Sequence, residues 1–107
     1  MRTVLTAPRV VSSHDFYVRV RAADDELPVN IDIECAAIDG VVGGFLSHEA
    51  RWRIVENNLF ALLAVAESNY IRGGVEEAEG LGGRFRQVTL RIHDLRKTSF
   101  RLENAYA

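Results

Sequence analysis

Cys35 and the histidines His14, His48 and His93 are the side chains whose types could do nucleophilic, acid–base or metal chemistry. Two of the histidines stand beside a carboxylate, as His14-Asp15 and His93-Asp94. Adjacent residues on a strand point to opposite faces, so adjacency there opposes an imidazole–carboxylate contact. The three histidines fall on separate segments with no i, i+4 pair. A single cysteine cannot complete a cysteine-based zinc site, so neither a metal nor a cofactor is expected. Cys35 continues the alternation Val29, Ile31, Ile33, which points its thiol into a core, where it packs as a small hydrophobe and keeps its proton. An enzyme using Cys35 or His93 is therefore the third reading in rank, and no catalytic residue is assigned.

Two other features invite a chemical reading. Gly40-Val41-Val42-Gly43-Gly44-Phe45-Leu46-Ser47 runs glycines into a helix start, as phosphate-cradling loops do. It lacks the lysine and the spacing of either standard motif, and reads as a flexible connector. Arg84, Arg86, Arg91, Arg96, Lys97 and Arg101 form a candidate polyanion-contact set, with Phe85 and Phe100 available for stacking. Nucleic-acid binding through these arginines is the alternative reading. Two facts weigh against it: the net charge is -2, where nucleic-acid domains carry a basic excess, and Asp32 and Glu34 stand ready to neutralise Arg19, Arg21 and Arg91.

Composition and period set the framework that carries these residues. A chain of 107 residues with 48% hydrophobic and 26% charged residues is expected to form one globular domain, residues 1–107, with residues 1–14 and 103–107 the least ordered. Its 12 arginines against one lysine reflect codon bias more than mechanism. Residues 1–21 carry four arginines against Asp15, and residues 84–101 carry six basic residues against Asp94. The longest apolar run, residues 59–66, is too short for a bilayer, and the stretch before Pro8 holds no adequate hydrophobic region, so a secretory signal is not expected. A cytoplasmic protein without a membrane partner is expected.

Alternation predicts a first strand over residues 15–22 and a second over 29–37, joined by a solvated loop over 23–28. If that loop closes symmetrically, facing residue numbers add to 51. Val20 then meets Ile31, Val18 meets Ile33, and Phe16 meets Cys35 on the core face. On the other face Arg19 meets Asp32, Tyr17 meets Glu34 and Arg21 meets Asn30, so apolar faces apolar and unlike charges fall together. Val10-Val11 suits a short edge strand, and Pro8 opposes a central one.

Ser47 is a good N-cap, and Trp52, Val55, Leu59, Leu62, Leu63, Ala66 and Tyr70 recur at helical spacing. One long helix over residues 47–72 results, with Asn57-Asn58 the point at which it would divide in two. Phe60 and Ile71 fall off its apolar stripe by more than a quarter turn. Residues 73–83, with five glycines and three glutamates, read as a mobile acidic loop. A third strand over 85–93 places Val88, Leu90 and Ile92 on the core face. Residues 94–97 turn the chain, and 99–102 suit a short edge strand. The predicted core is Val18, Val20, Ile31, Ile33, Cys35, Val55, Leu59, Leu62, Ala66, Val88, Leu90 and Ile92.

This order of features resembles a small bacterial family known as domain of unknown function 1488. The matching residues are Ile33-Glu34-Cys35 on a strand, Leu46-Ser47-His48-Glu49-Ala50 opening a helix, Ala66 and Tyr70 with Gly73 at its end, and Val88-Thr89-Leu90 leading to Asp94-Leu95. The likeness covers residues 29–95 and implies a compact α+β domain. It brings no established activity or catalytic residues.

The fold expected is α+β: a small twisted β-sheet, made of a hairpin plus a C-terminal strand or strands, with one long amphipathic helix on one face. The function expected is that of a non-catalytic binding or protein-interaction module. Phe60 and Ile71 are its candidate contacts with a protein partner or a second copy.

Overall fold

The computed structural model describes residues 4–71, 76–80 and 83–97. Along them run β1 (Thr6–Ser13), β2 (Tyr17–Asp24), β3 (Leu27–Glu34), α1 (Cys35–Val42), α2 (His48–Asn57), α3 (Leu59–Ile71), β4 (Glu76–Gly80), β5 (Gly83–Leu90) and α4 (Ile92–Arg96). The strands form one open sheet in the order β1-β2-β3-β5-β4. β3 and β5 are parallel, and the other neighbours are antiparallel. The protein is of the α+β class.

The β2–β3 hairpin has the register derived from its alternation. Val18 pairs with Ile33, Val20 with Ile31, Arg19 with Asp32, Arg21 with Asn30 and Tyr17 with Glu34. The reversal is tighter than the solvated loop expected, because only Asp25 and Glu26 separate the strands. Asp25 makes the turn in the left-handed region (φ 55), which aspartate tolerates better than most side chains.

Parallel pairing sets Ile31 beside Val88 and Ile33 beside Leu90. Two apolar rows therefore cross the sheet: Val20, Ile31, Val88 and Val18, Ile33, Leu90. All six are buried. α2 packs on β1 and β2, and α3 reaches β5 and β1, so Ile54, Val55, Leu62, Leu63 and Ala66 close the core from one side. On the opposite face the row Arg19, Asp32 is an ion pair, with Nε and Nη2 donating to the two carboxylate oxygens at 2.7 and 2.8 Å. The carboxylate holds the Arg19 guanidinium above its ordinary pKa, chiefly through that hydrogen bond.

The helical layer is two helices with a joint between them. Asn58 is buried, and its side-chain amide donates to the Ile54 carbonyl at 2.8 Å, adding a second bond to the one that carbonyl accepts from the Asn58 backbone N–H at 3.1 Å. Its own carbonyl accepts from Leu62 N–H at 2.9 Å and opens α3. At the other end of α2, Ser47 accepts from Ala50 N–H at 3.1 Å as an N-cap.

Four expectations need correction. Strand pairing stops at Glu34, and Cys35 begins α1, so the stretch read as strand and glycine connector is largely helix. Cys35 N–H still donates to the Phe16 carbonyl at 2.9 Å, yet the chain has already turned and Phe16 is 73% exposed. Gly43 ends α1 with φ 94 and donates to the Asp39 carbonyl, the left-handed C-cap that glycine adopts without strain. Second, residues 76–80 of the expected acidic loop are strand β4, on the sheet's edge beside β5. Third, Ile92 and His93 do not extend the last strand but lie in α4. There α1 and α4 pack so closely that a Cβ at Gly40 would stand 2.7 Å from Ile92 Cδ1. Fourth, Leu59 and Ile92 are only partly buried against the core, while Leu5, Ile38 and Leu95 are fully buried. The strand expected at 99–102 lies outside the described residues.

β1 forms in the segment read as least ordered, and Pro8 sits in it at the edge of the sheet, where its missing N–H costs no ladder bond. No helix among the described residues is long and apolar enough to cross a membrane.

Candidate functional site

Among the described residues the reactive side chains lie on separate elements. Cys35 is 3% exposed, and its Sγ donates to the His14 carbonyl at 3.3 Å. Burial pushes its thiol above the ordinary value, and nearby Arg51 offsets this only in part. Arg51 is committed elsewhere, donating to both carboxylate oxygens of Asp39 at 3.0 and 2.6 Å. That pair pins α2 to α1. A buried, protonated thiol is a poor nucleophile.

The Cys35 environment yields a prediction on labelling and on pH. Native Cys35 is expected to react with a maleimide at least ~10-fold more slowly than the unfolded chain. The folded thiol also holds its proton more tightly than the unfolded one, so unfolding releases protons. Its contribution to stability is complete below the ordinary value of 9.0 and fades as pH rises through the raised folded value. Urea unfolding at neutral and alkaline pH should therefore show a smaller alkaline loss for Cys35→Ala than for wild type. Rapid native labelling would reopen a nucleophilic role.

The histidines do not converge. His14 lies edge-on to Tyr17, with ring centroids 5.8 Å apart. Asp15 turns away from His14 and meets His48 Nε2 at 3.2 Å, clasping the β1–β2 turn to the start of α2. His93 Nε2 is 3.5 Å from Asp94 Oδ1, a contact the strand reading disfavoured and a helical turn permits. Asp94 is buried and works as a clamp. It accepts from Arg91 N–H at 3.0 Å and from the Asn69 amide at 3.1 Å, capping the start of α4 and joining it to α3. Among the described residues no three His, Cys, Asp or Glu side chains are grouped as metal ligands would be.

Two surface depressions of about 400 Å³ flank this region. Ala36, Asp39, Gly40, Gly43, Gly44 and Phe45 line the first, and its one carboxylate is held by Arg51. The second lies between Ser13 and the His48, Trp52 and Glu56 side of α2. Ser13 Oγ there donates to the His48 backbone carbonyl at 3.2 Å and not to an imidazole, so Ser13, His48 and Asp15 do not make a nucleophile–base–acid relay.

Among the described residues the C-terminal basic side chains are dispersed. Arg86 shares the helix side of the sheet with Val88 and Leu90. It donates to the Tyr70 hydroxyl, stands 5.4 Å over the Tyr70 ring and lies 3.7 Å from Asp24. The Tyr70 hydroxyl in turn donates to Asp24 Oδ2 at 2.5 Å. Burial first, then Asp24, raises the Tyr70 pKa, and Arg86 lowers it in part. Arg91 lies 3.7 Å from Glu34, as the balance of the polar sheet face implied. Arg96 and Lys97 are exposed on and just after α4. The Arg84 backbone pairs with Glu79 in the β4–β5 ladder, and Arg101 and Phe100 lie outside the described residues.

What the fold does assemble on its surface is one face of α3. Phe60 is 79% exposed and Ile71 64% exposed, and Ala64 and Ser68 between them are exposed as well. Their spacing of i, i+4, i+8 and i+11 makes a single row along the helix. The corresponding outward row of α2 is Glu49, Arg53, Glu56 and Asn57, with Arg53 donating to Glu49 at 2.7 Å. The helical layer thus changes from charged to uncharged at the Asn58 joint. Glu67 is the one charged residue of α3, set at the edge of the row and accepting the Val4 N–H at 2.6 Å. Phe16 and Phe45 are also largely exposed, but each is a single residue at a chain reversal.

Ala64 and Ser68 were missed from the sequence because a small residue off the core stripe carries no signal alone. Only the spacing from Phe60 to Ile71 could have shown the row. No family model, curated protein or solved structure matches this chain.

Proposed function

We propose that this chain is a non-catalytic protein-interaction module that uses the outer face of α3 as its contact surface. The observation that carries the reading is the uncharged row Phe60, Ala64, Ser68, Ile71, left open on a helix whose other face already closes the core. Residues 59–66 of α3 are apolar on every side, and a helical segment of that kind is one that is covered on every side. Contiguous exposed apolar surface of this kind marks interaction sites. The buried, protonated Cys35 and the separated histidines support a role without catalysis. We extend the same proposal to kinship with the domain of unknown function 1488 family, on the residue pattern that runs from Ile33 to Leu95.

Phe60→Asp tests it. Phe60 is the second residue of α3, where a negative charge suits the helix N-terminus, and it touches little of the core. Stability should change by no more than about 0.5 kcal/mol, whereas affinity for the bound protein should fall at least ~10-fold, since aromatic anchors dominate such surfaces. Circular dichroism checks the fold, and sedimentation and pull-down check the binding. An unchanged sedimentation profile together with unchanged captured partners would overturn the reading.

A further inference from the structure

We infer that the partner covering α3 is a second copy of this chain, packed so that the two α3 helices run antiparallel across a two-fold axis near Val65 and Ala66. The inference rests on the proposed role of this face and names its occupant.

Two observations select a second copy. The row is close to palindromic in size, with a large residue at each end and small ones between: Phe60, Ala64, Ser68, Ile71. Antiparallel pairing about its midpoint sets Phe60 against Ile71 of the other copy, and Ala64 against Ser68, each contact occurring twice. That reciprocity is what an isologous interface requires. The small residues at the centre let helix axes approach to about 8 Å, the near end of the packing range.

Charge points the same way. The row itself carries no charge, so it offers no handle for selecting an oppositely charged partner. Glu67 stands at the row's edge with its carboxylate turned to Val4. Glu49, Arg53, Glu56 and Asn57 on α2 would lie outside the contact as a polar rim.

The area sets the strength. Phe60 brings on the order of 150–200 Å², and with Ile71 and the small residues the face supplies roughly 400 Å² per copy at most. That is about half of the ~800 Å² per partner of a standard interface. An interface of this size is of the weak, transient kind, so the pair should be dynamic.

The test uses the full chain in sedimentation equilibrium from ~1 μM to ~1 mM. The weight-average mass is expected to climb from one chain toward two, and Phe60→Asp and Ala64→Glu should each raise the dissociation constant at least ~10-fold. Orientation is read by mixing Ala64→Cys with Ser68→Cys protein under mild oxidation, because native Cys35 is buried and contributes no background. The mixed 64–68 disulfide should form several-fold faster than either symmetric one. Wild type that remains a single chain at ~1 mM, or symmetric disulfides that form as fast as the mixed one, would overturn the inference. If the chain stays single while Phe60→Asp still abolishes binding of a different protein, the second copy is excluded and the interaction-module reading stands.

Discussion

Ile31→Ala is expected to lower the unfolding free energy by about 2–5 kcal/mol, toward the upper end of that range. Ile31 is 1% exposed on an interior strand of the sheet, between Val20 on one neighbour and Val88 on the other. Hydrogen-bonded backbone on both sides keeps the strands from closing over the lost methyl groups, so the cavity term remains nearly whole. In a domain of this size about 1 kcal/mol moves the melting temperature by ~4–8 °C, and the variant should melt on the order of 15–25 °C lower. Leu59→Ala, at a partly exposed position, should cost clearly less. Urea unfolding of the two variants makes the comparison, and equal losses would show that the cross-strand rows are not where the core closes.

Arg19→Ala is expected to cost about 2–4 kcal/mol. It removes two hydrogen bonds and leaves Asp32, whose side chain is 7% exposed, without its cation. The Arg19 side chain is 32% exposed, so its removal admits some water to the carboxylate, and the loss falls short of that for a fully enclosed pair. Replacing both residues with leucine should recover most of the loss, because the penalty lies in the orphaned charge more than in the lost attraction. A double-mutant cycle in urea measures this directly. An Arg19→Ala loss below ~0.5 kcal/mol would place the pair among surface salt bridges.

These two residues also mark how far sequence reading could go. The β2–β3 register follows from the midpoint of the reversal at Asp25–Glu26, and that midpoint is the same for a six-residue loop or a two-residue turn. The pairing of Arg19 with Asp32 was therefore legible even though the turn length was not. The candidate surface was half legible. Phe60 and Ile71 stood out as large apolar residues off the stripe, while Ala64 and Ser68 became part of it only through the helix that carries them. The Arg51–Asp39 pair, 12 residues apart across two helices, left no trace in spacing or type.

Local periodicity is written in the residues themselves: strands of alternating residues, the Ser47 cap, the helical apolar spacing through α2 and α3, and with them the α+β class. These come from contacts within a few residues, whose geometry repeats every two or every 3.6 positions. Only long-range packing set where strand gives way to helix at Cys35 and brought residues 76–80 into the sheet. Glu34 caps α1 without a side-chain hydrogen bond, and Gly40 weakens the helix interior, so α1 depends on its close packing with α4 at Ile92. β4 pairs with β5 through backbone groups, which every residue type but proline carries in full and which no composition announces.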